Sequence, residues 1–481
     1  MNPVPISRRR ALALGGLGTA ALVAGATGWI ATATAGTASG AFRPGATGAE
    51  LLQPPMLDGR DGRLSVELTA AAGVRLAGRE TSALGFNGGS PGPTLRVRPG
   101  DELAVRLTNR LDRPTNLHTH GLRVSPQGNS DNPFVSIEPG ASFDYLYRIP
   151  ADHPAGTHWY HPHHHGTVAD QLFGGLFGAL IVDRGPDVPA TADRLLLITD
   201  ITLDDAGAVV PASAADRAMG REGRLLLVNG QHQPTVTAAT GATERWRIVN
   251  ACTSRVLSLN LEGRQLVQIT QDGSFLPRPT GRDTLVLAPG NRADVLVQPT
   301  GTGRFALIAD PYDRGSMMGG GSGSTGSTTV ATLVTSGAPR AVVPLPAVLP
   351  TETPTVAPVT RTRRTDFRMG MGGGMAVSID GRTFDPARDD QTVAFGSTEE
   401  WTVTNNSPLA HPFHIHVWPF TVTAASDGRA TTGTPQDVVL IPSSGWVRLR
   451  IPFTTFTGRS VYHCHILDHE DAGMMATVVV T

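Results

Sequence analysis

Gly100-Asp-Glu-Leu-Ala-Val-Arg-Leu-Thr-Asn109 alternates polar and apolar residues between an entering glycine and a closing asparagine. A period of two is the signature of a β-strand with one buried face. The frame returns as Gly241-Ala-Thr-Glu-Arg-Trp-Arg-Ile-Val-Asn250 and as Gly396-Ser-Thr-Glu-Glu-Trp-Thr-Val-Thr-Asn405, spaced about 140 to 155 residues apart. One glycine-started strand carries little information, but three at this period indicate a triplicated module. The expected architecture is all-β, three Greek-key β-sandwich domains over residues 46–186, 190–336 and 360–481. Further strands are expected at 142–149, 156–163, 176–183, 194–203, 283–297, 375–379, 437–441, 446–451 and 476–481. Residues 319–329 are Gly/Ser-rich and 338–358 Pro-rich, and both read as loop or linker.

Counting on from each asparagine leads to the chemistry. Nine and eleven residues past Asn109 stand His118 and His120, and past Asn405 stand His414 and His416. Past Asn250 the same positions hold Leu259 and Leu261, so the middle module keeps the strand without the imidazoles and reads as a spacer. Two further pairs align with each other, Trp159-Tyr-His161-Pro-His163 and Val461-Tyr-His463-Cys464-His465. Side chains two apart on a strand share a face, so each His-X-His pair offers two imidazoles to one metal cluster. Eight of the fifteen histidines fall into this spacing, which chance does not explain. Cys464 must point away from its flanking histidines, toward a second site. His411, six residues past Asn405, has no counterpart in the other modules (Thr115, Val256). With Cys464, His469 and Met474 it supplies two imidazoles, a thiolate and a thioether, the donor set of a blue-copper electron-transfer centre. The alignment leaves His164 and His165 beside the cluster or on the surface and turns His158 to the other side. His153 and His232 read as loop or surface histidines.

The formal net charge of −1 gives no support to a nucleic-acid role. At 481 residues, with 56 glycines and 37 prolines, the chain suits several strand-and-turn domains. Residues 1–35 contain Ser7-Arg8-Arg9-Arg10, an Ala/Gly/Leu-rich run and Ala33-Thr34-Ala35, and they resemble a twin-arginine export signal. Export to an extracellular, cell-surface or periplasmic site follows, with the segment either cleaved or retained as an anchor. Cys252 reads as a small buried filler, since pairing it with Cys464 would remove the thiolate.

These motifs resemble the multicopper oxidases, the family of laccases, bilirubin oxidases and cuprous oxidases, across essentially the whole chain after the signal. The resemblance implies cupredoxin-like domains, a middle domain without copper, and four copper ions: one type 1, one type 2 and two type 3. His411, Cys464, His469 and Met474 match the type 1 ligands, and His118 and His414 match those of type 2. His120, His161, His163, His416, His463 and His465 match the type 3 pair. The implied reaction takes single electrons from a small reducing substrate and uses four to reduce O2 to water, with no nucleic acid and no stable membrane partner. Asp131 resembles the family's aspartate near the cluster and Glu470 the proton-relay acid of some bacterial members; water formation consumes protons, so such acids matter. Phenols and aromatic amines are the default donors. Met317, Met318, Met369, Met371 and Met375 lie in glycine-rich loops, and soft thioethers there would suit Cu(I) and a cuprous oxidase serving copper tolerance. Copper nitrite reductase would not need the paired histidines, and a copper-free structural homologue is the non-enzymatic rival.

Overall fold

A computed structural model describes residues 42–45, 47–184, 188–316, 326–351, 357–370 and 376–481. The signal-like segment and Met317, Met318, Met371 and Met375 lie outside the described residues. Among the described residues no helix is long and apolar enough to cross a membrane.

The closing asparagine recurs because it does the same work three times. In Asn109, Oδ1 accepts from the Leu111 N–H, while Nδ2 donates to the carbonyls of Arg113 and Ile137. Asn250 binds the Cys252 N–H and the Arg255 and Leu287 carbonyls, and Asn405 binds the Ser407 N–H and the Leu409 and Pro442 carbonyls. Each side chain thus caps its turn and ties it to a main-chain carbonyl 28, 37 or 37 residues downstream, which a shorter or apolar residue could not do.

The three modules also share one topology. Glu102–Asn109 lies parallel to Arg63–Ala72 and antiparallel to Ser142–Arg148. Glu244–Asn250 lies likewise between Ala192–Ile201 and Arg292–Val297, and Thr398–Asn405 between Arg361–Gly370 and Trp446–Pro452. A second sheet faces each of these, and a separate apolar core fills each sandwich. The fold is all-β, with three cupredoxin-like Greek-key domains.

The second sheets carry the histidine positions. His118–His120 pairs antiparallel with Gly156–His161, setting His118 opposite His161. His411–Ile415 pairs with Gly458–Cys464, setting His414 opposite His463 and Phe413 opposite Cys464. In the middle domain Leu257–Leu261 occupies the same place against Gly303–Asp310, and Leu259 and Leu261 are buried in its core.

Two expectations need correction and a third is narrowed. The strand over 283–297 is two, Leu285–Leu287 and Arg292–Val297, broken by a turn in which Gly290 adopts φ +86°. Met369 sits not in a loop but on Arg361–Gly370, packed into the third core. His153 does stand in a loop, but it is buried there: its Nδ1–H donates to the Pro154 carbonyl and its Nε2 accepts the Arg123 N–H.

Candidate metal centre

The four His-X-His pairs converge. Ligand atoms of His120, His161 and His465 lie within 4.8 Å of one another, as do those of His163, His416 and His463, and those of His118, His120 and His414. Three of the pairs, His161/His163, His414/His416 and His463/His465, split their two imidazoles between sets, and His120 belongs both to the set of His118 and to that of His161 and His465, so the first and third domains are interleaved histidine by histidine.

Hydrogen bonds to the far nitrogen fix which ring atom faces inward. Nδ1 of His161 donates to the Pro162 carbonyl and Nδ1 of His463 to the Cys464 carbonyl, leaving both Nε2 atoms free. Nδ1 of His414 donates to the Asp437 carbonyl at 2.8 Å. Nδ1 of His118 lies 3.0 Å from both Asp131 oxygens, and Oδ1 of that carboxylate also accepts the Thr119 N–H and hydroxyl. His120 is reversed: its Nε2–H donates to Asp437 Oδ1 at 3.1 Å, so Nδ1 faces His161.

The residues fit a cluster of cations. Nε2 of His163 lies 3.1 Å from that of His463 and 3.2 Å from that of His416, while the His416 and His463 atoms are 3.3 Å apart. Nε2 of His118 and His414 and both ring nitrogens of His465 are buried without a hydrogen-bond partner. Burial, reinforced by the neighbouring imidazoles, holds the pKa of His118, His163 and His416 well below the ordinary histidine value. Neutral rings with converging lone pairs and no protons to share are a ligand set, because buried polar atoms otherwise find partners.

A second site lies across the strand. Nδ1 of His411 is 3.3 Å from the Cys464 sulfur, Nδ1 of His469 is 3.9 Å from it, and the two Nδ1 atoms are 3.3 Å apart. The far nitrogens are occupied: His411 Nε2 pairs with the Ser407 hydroxyl and His469 Nε2 donates to the Ala218 carbonyl of the short helix Ala214–Met219. Met474 is buried in the third core, and its carbonyl accepts the Cys464 N–H. Cys252 is free and buried in the middle core, with no contact to this centre.

The turn of helix Leu467–Asp471, which carries His469 and Glu470, is clamped by both other domains. Asp468 takes a two-pronged ion pair from Arg221, and Asp471 accepts the N–H groups of Gly166, Val168 and Ala169 at the start of helix Val168–Gly174. Glu470 is fully buried, 3.5 Å from His163 Nε2 and 3.2 Å from His463 Nδ1, and burial raises its pKa well above the ordinary carboxyl range. Burial also raises Asp131, to about 7. His164 is half-buried beside Ser136 and His165 is exposed against Phe384, both outside the triads.

Asp437 escapes the sequence reading. Its one signal is position, at the foot of the apolar strand Val438–Ile441 that pairs with His411–Ile415. That pairing is invisible before the fold is known.

Comparison with known proteins agrees with this geometry. Multicopper oxidase family models match residues 68–187, 192–338 and 349–481. The chain is 28% identical to the multicopper oxidase mco of Staphylococcus aureus, over 90% of this chain and 92% of that one. It is 33% identical to the cell division protein FtsP of Salmonella typhimurium, over 75% and 77% of the two chains. A multicopper oxidase from Campylobacter jejuni described as a metallo-oxidase superposes with a TM-score of 0.83 at 30% identity, covering 92% of this chain and 98% of the other. The chain belongs to the multicopper oxidase family. It is an oxidoreductase that couples one-electron oxidation of a reducing substrate to four-electron reduction of O2 to water.

Proposed function

We propose that this chain is an exported, laccase-like multicopper oxidase holding four copper ions. The observation that carries the reading is the convergence of all eight paired histidines, with unpartnered nitrogens, around one buried space. His118 and His414 would hold the type 2 ion, His120, His161 and His465 one type 3 ion, and His163, His416 and His463 the other. His411, Cys464 and His469, with Met474 as axial thioether, would hold type 1. Copper bound there would supply one-electron storage at the blue site and four-electron reduction of O2 at the cluster.

The protein's own part is positioning and proton supply. Electrons leaving Cys464 have only one backbone step to His463 or His465. Glu470 and Asp131, buried against cluster histidines, would hold the protons that water formation consumes. A cavity of about 300 Å³ lined by Phe134, His163, His164, Phe384 and Met475 reaches the cluster at His163 and would admit O2. On the donor side the outer edge of His469 is capped by Ala218, so a donor would act across the helix Ala214–Met219. Contact through such a cover demands proximity and potential rather than a shaped pocket, which favours phenols and aromatic amines. A dedicated Cu(I) role is weakened by Met369, which is locked in the core.

The relatives named as cell division proteins keep a copper-free scaffold as the second reading. Copper analysis with O2 uptake on a phenol and on Cu(I) separates them: bound copper and uptake support the oxidase, and a metal-free, inert protein supports the scaffold.

A further inference from the structure

The middle domain lacks ligands and reads from sequence as a spacer, yet one of its charged side chains is buried at the cluster. Arg292, on the strand Arg292–Val297, is 0% exposed. Its Nη1 donates to Asp437 Oδ1 at 2.6 Å and its Nη2 to Asp437 Oδ2 at 2.8 Å, a two-pronged grip across the boundary with the third domain. Its Nε donates to the Thr157 carbonyl of the first domain at 3.2 Å. A single guanidinium therefore joins all three domains.

Asp437, the residue it grips, sets two rings: Oδ1 accepts from His120 Nε2 and the main-chain carbonyl accepts from His414 Nδ1. Those two bonds decide that His120 presents Nδ1 and His414 presents Nε2. The main chain around Asp437 is held from the same side, since Asp272 Oδ2 accepts the Val438 N–H and Asn291 Nδ2 donates to the Val438 carbonyl.

Two glycines make room for this arrangement. At Gly290, φ +86°, a β-carbon would stand 2.9 Å from His465 Nε2 and 3.0 Å from His120 Cε1. At Gly121, φ +89°, it would stand 2.3 Å from Arg292 Nη2 and 2.9 Å from Asp437 Oδ2. The middle domain's own backbone is thus a wall of the space enclosed by His120, His161 and His465.

We propose that Arg292 and Gly290 of the middle domain are positioning residues of the copper cluster: Arg292 locks Asp437 so that His120 and His414 keep their ligating nitrogens inward, and Gly290 keeps the His120/His465 side clear. The inference rests on the assignment of these histidines as copper ligands. Removing Arg292 frees Asp437 to turn from His120, and an imidazole without its partner changes tautomer and orientation. Loss of such a supporting bond lowers metal affinity by about 10- to 100-fold. Arginine matters here for its fork as well as its charge, so lysine restores only part of the function.

The test uses the full chain loaded with copper, as parent, Arg292→Met, Arg292→Lys and Gly290→Ala. Copper remaining per chain is followed against a graded chelator, with blue absorption reporting the Cys464 site, electron paramagnetic resonance reporting the cluster, and thermal unfolding run alongside. The expected result is blue absorption equal to the parent's in every variant. Cluster copper should leave at about tenfold or more lower chelator in Arg292→Met and Gly290→Ala, less so in Arg292→Lys, with an altered resonance spectrum. Two results overturn the proposal: cluster retention and spectra matching the parent in both Arg292→Met and Gly290→Ala, or parallel loss of blue and cluster copper tracking a fall in unfolding temperature. Should Arg292→Met fail to fold, Arg292→Lys and Gly290→Ala decide alone. A parent that holds no cluster copper sinks the ligand assignment itself, before any variant is compared.

Discussion

Asp131→Ala removes the acceptor that holds His118. In the parent, both carboxylate oxygens sit 3.0 Å from His118 Nδ1, and Oδ1 takes the Thr119 N–H at 2.8 Å and its hydroxyl at 3.1 Å. The hydroxyl can rotate to another acceptor, but the ring N–H and the backbone N–H cannot, and both are buried. Leaving two fixed donors unpaired costs roughly 1–3 kcal/mol each, offset in part because a buried carboxyl no longer has to be desolvated. The two stability effects oppose each other, so unfolding temperature is a poor readout. Metal affinity is a better one, because only one effect acts on it: without Asp131 the ring is free to move its proton to Nε2, the atom that faces His414. The expected loss is about 10- to 100-fold in retention of the copper shared by His118 and His414, or roughly 1.4–2.7 kcal/mol. A chelator titration monitored by paramagnetic resonance reads this directly. The type 2 signal should vanish first while blue absorption persists. Release of all copper at the parent's chelator concentration would refute the argument that Asp131 sets the His118 tautomer.

Other expectations follow from the same geometry. Cys464→Ser should abolish blue absorption and turnover while the eight paired histidines still bind copper, as metal analysis and O2 uptake would show; retained oxidase activity would break the proposed electron path. Glu470→Gln keeps the shape beside His163 and His463 but cannot supply a proton, and should slow steady-state O2 reduction by about 10²-fold or more without changing copper content. Acid should destabilise the chain through His153, whose pKa burial holds down at about 3, with Arg123, Asp152, Arg184 and His158 facing it. Because the folded state resists protonation, this contribution is complete above about pH 6.5 and is lost as pH falls toward 3. By pH 5 the loss amounts to roughly 2 kcal/mol, so thermal unfolding of His153→Gln should lose less between pH 7 and 5 than the parent does.

What was legible in the chain was whatever repeats or lies close in sequence. The asparagine-closed strand revealed three sandwiches because the motif itself is local, and the bond from the N–H two residues further on recurs at Asn109, Asn250 and Asn405. The same register carried the histidine positions and explained why Leu259 and Leu261 replace them in the middle domain. Which triad each histidine joins was not legible, since His163 meets His416 and His463 only after the outer domains dock. Asp437 and Arg292 were missed for that reason: neither belongs to a motif, and their roles arise from a contact between residues 145 apart in the chain. Met369 was misplaced because the glycines that follow it resemble a loop, although Arg361–Gly370 pairs with Ala376–Ile379; the burial of His153 within its loop comes from Arg123 and His158, which no local pattern shows.

Copper content measured together with the product of O2 reduction tests the central claim most directly. For the fully loaded chain oxidising a phenol, the account predicts four coppers per chain and four electrons consumed per O2, with no hydrogen peroxide accumulating. Peroxide as the main product, or a chain that binds only one copper, would contradict a cluster closed by histidines from both outer domains.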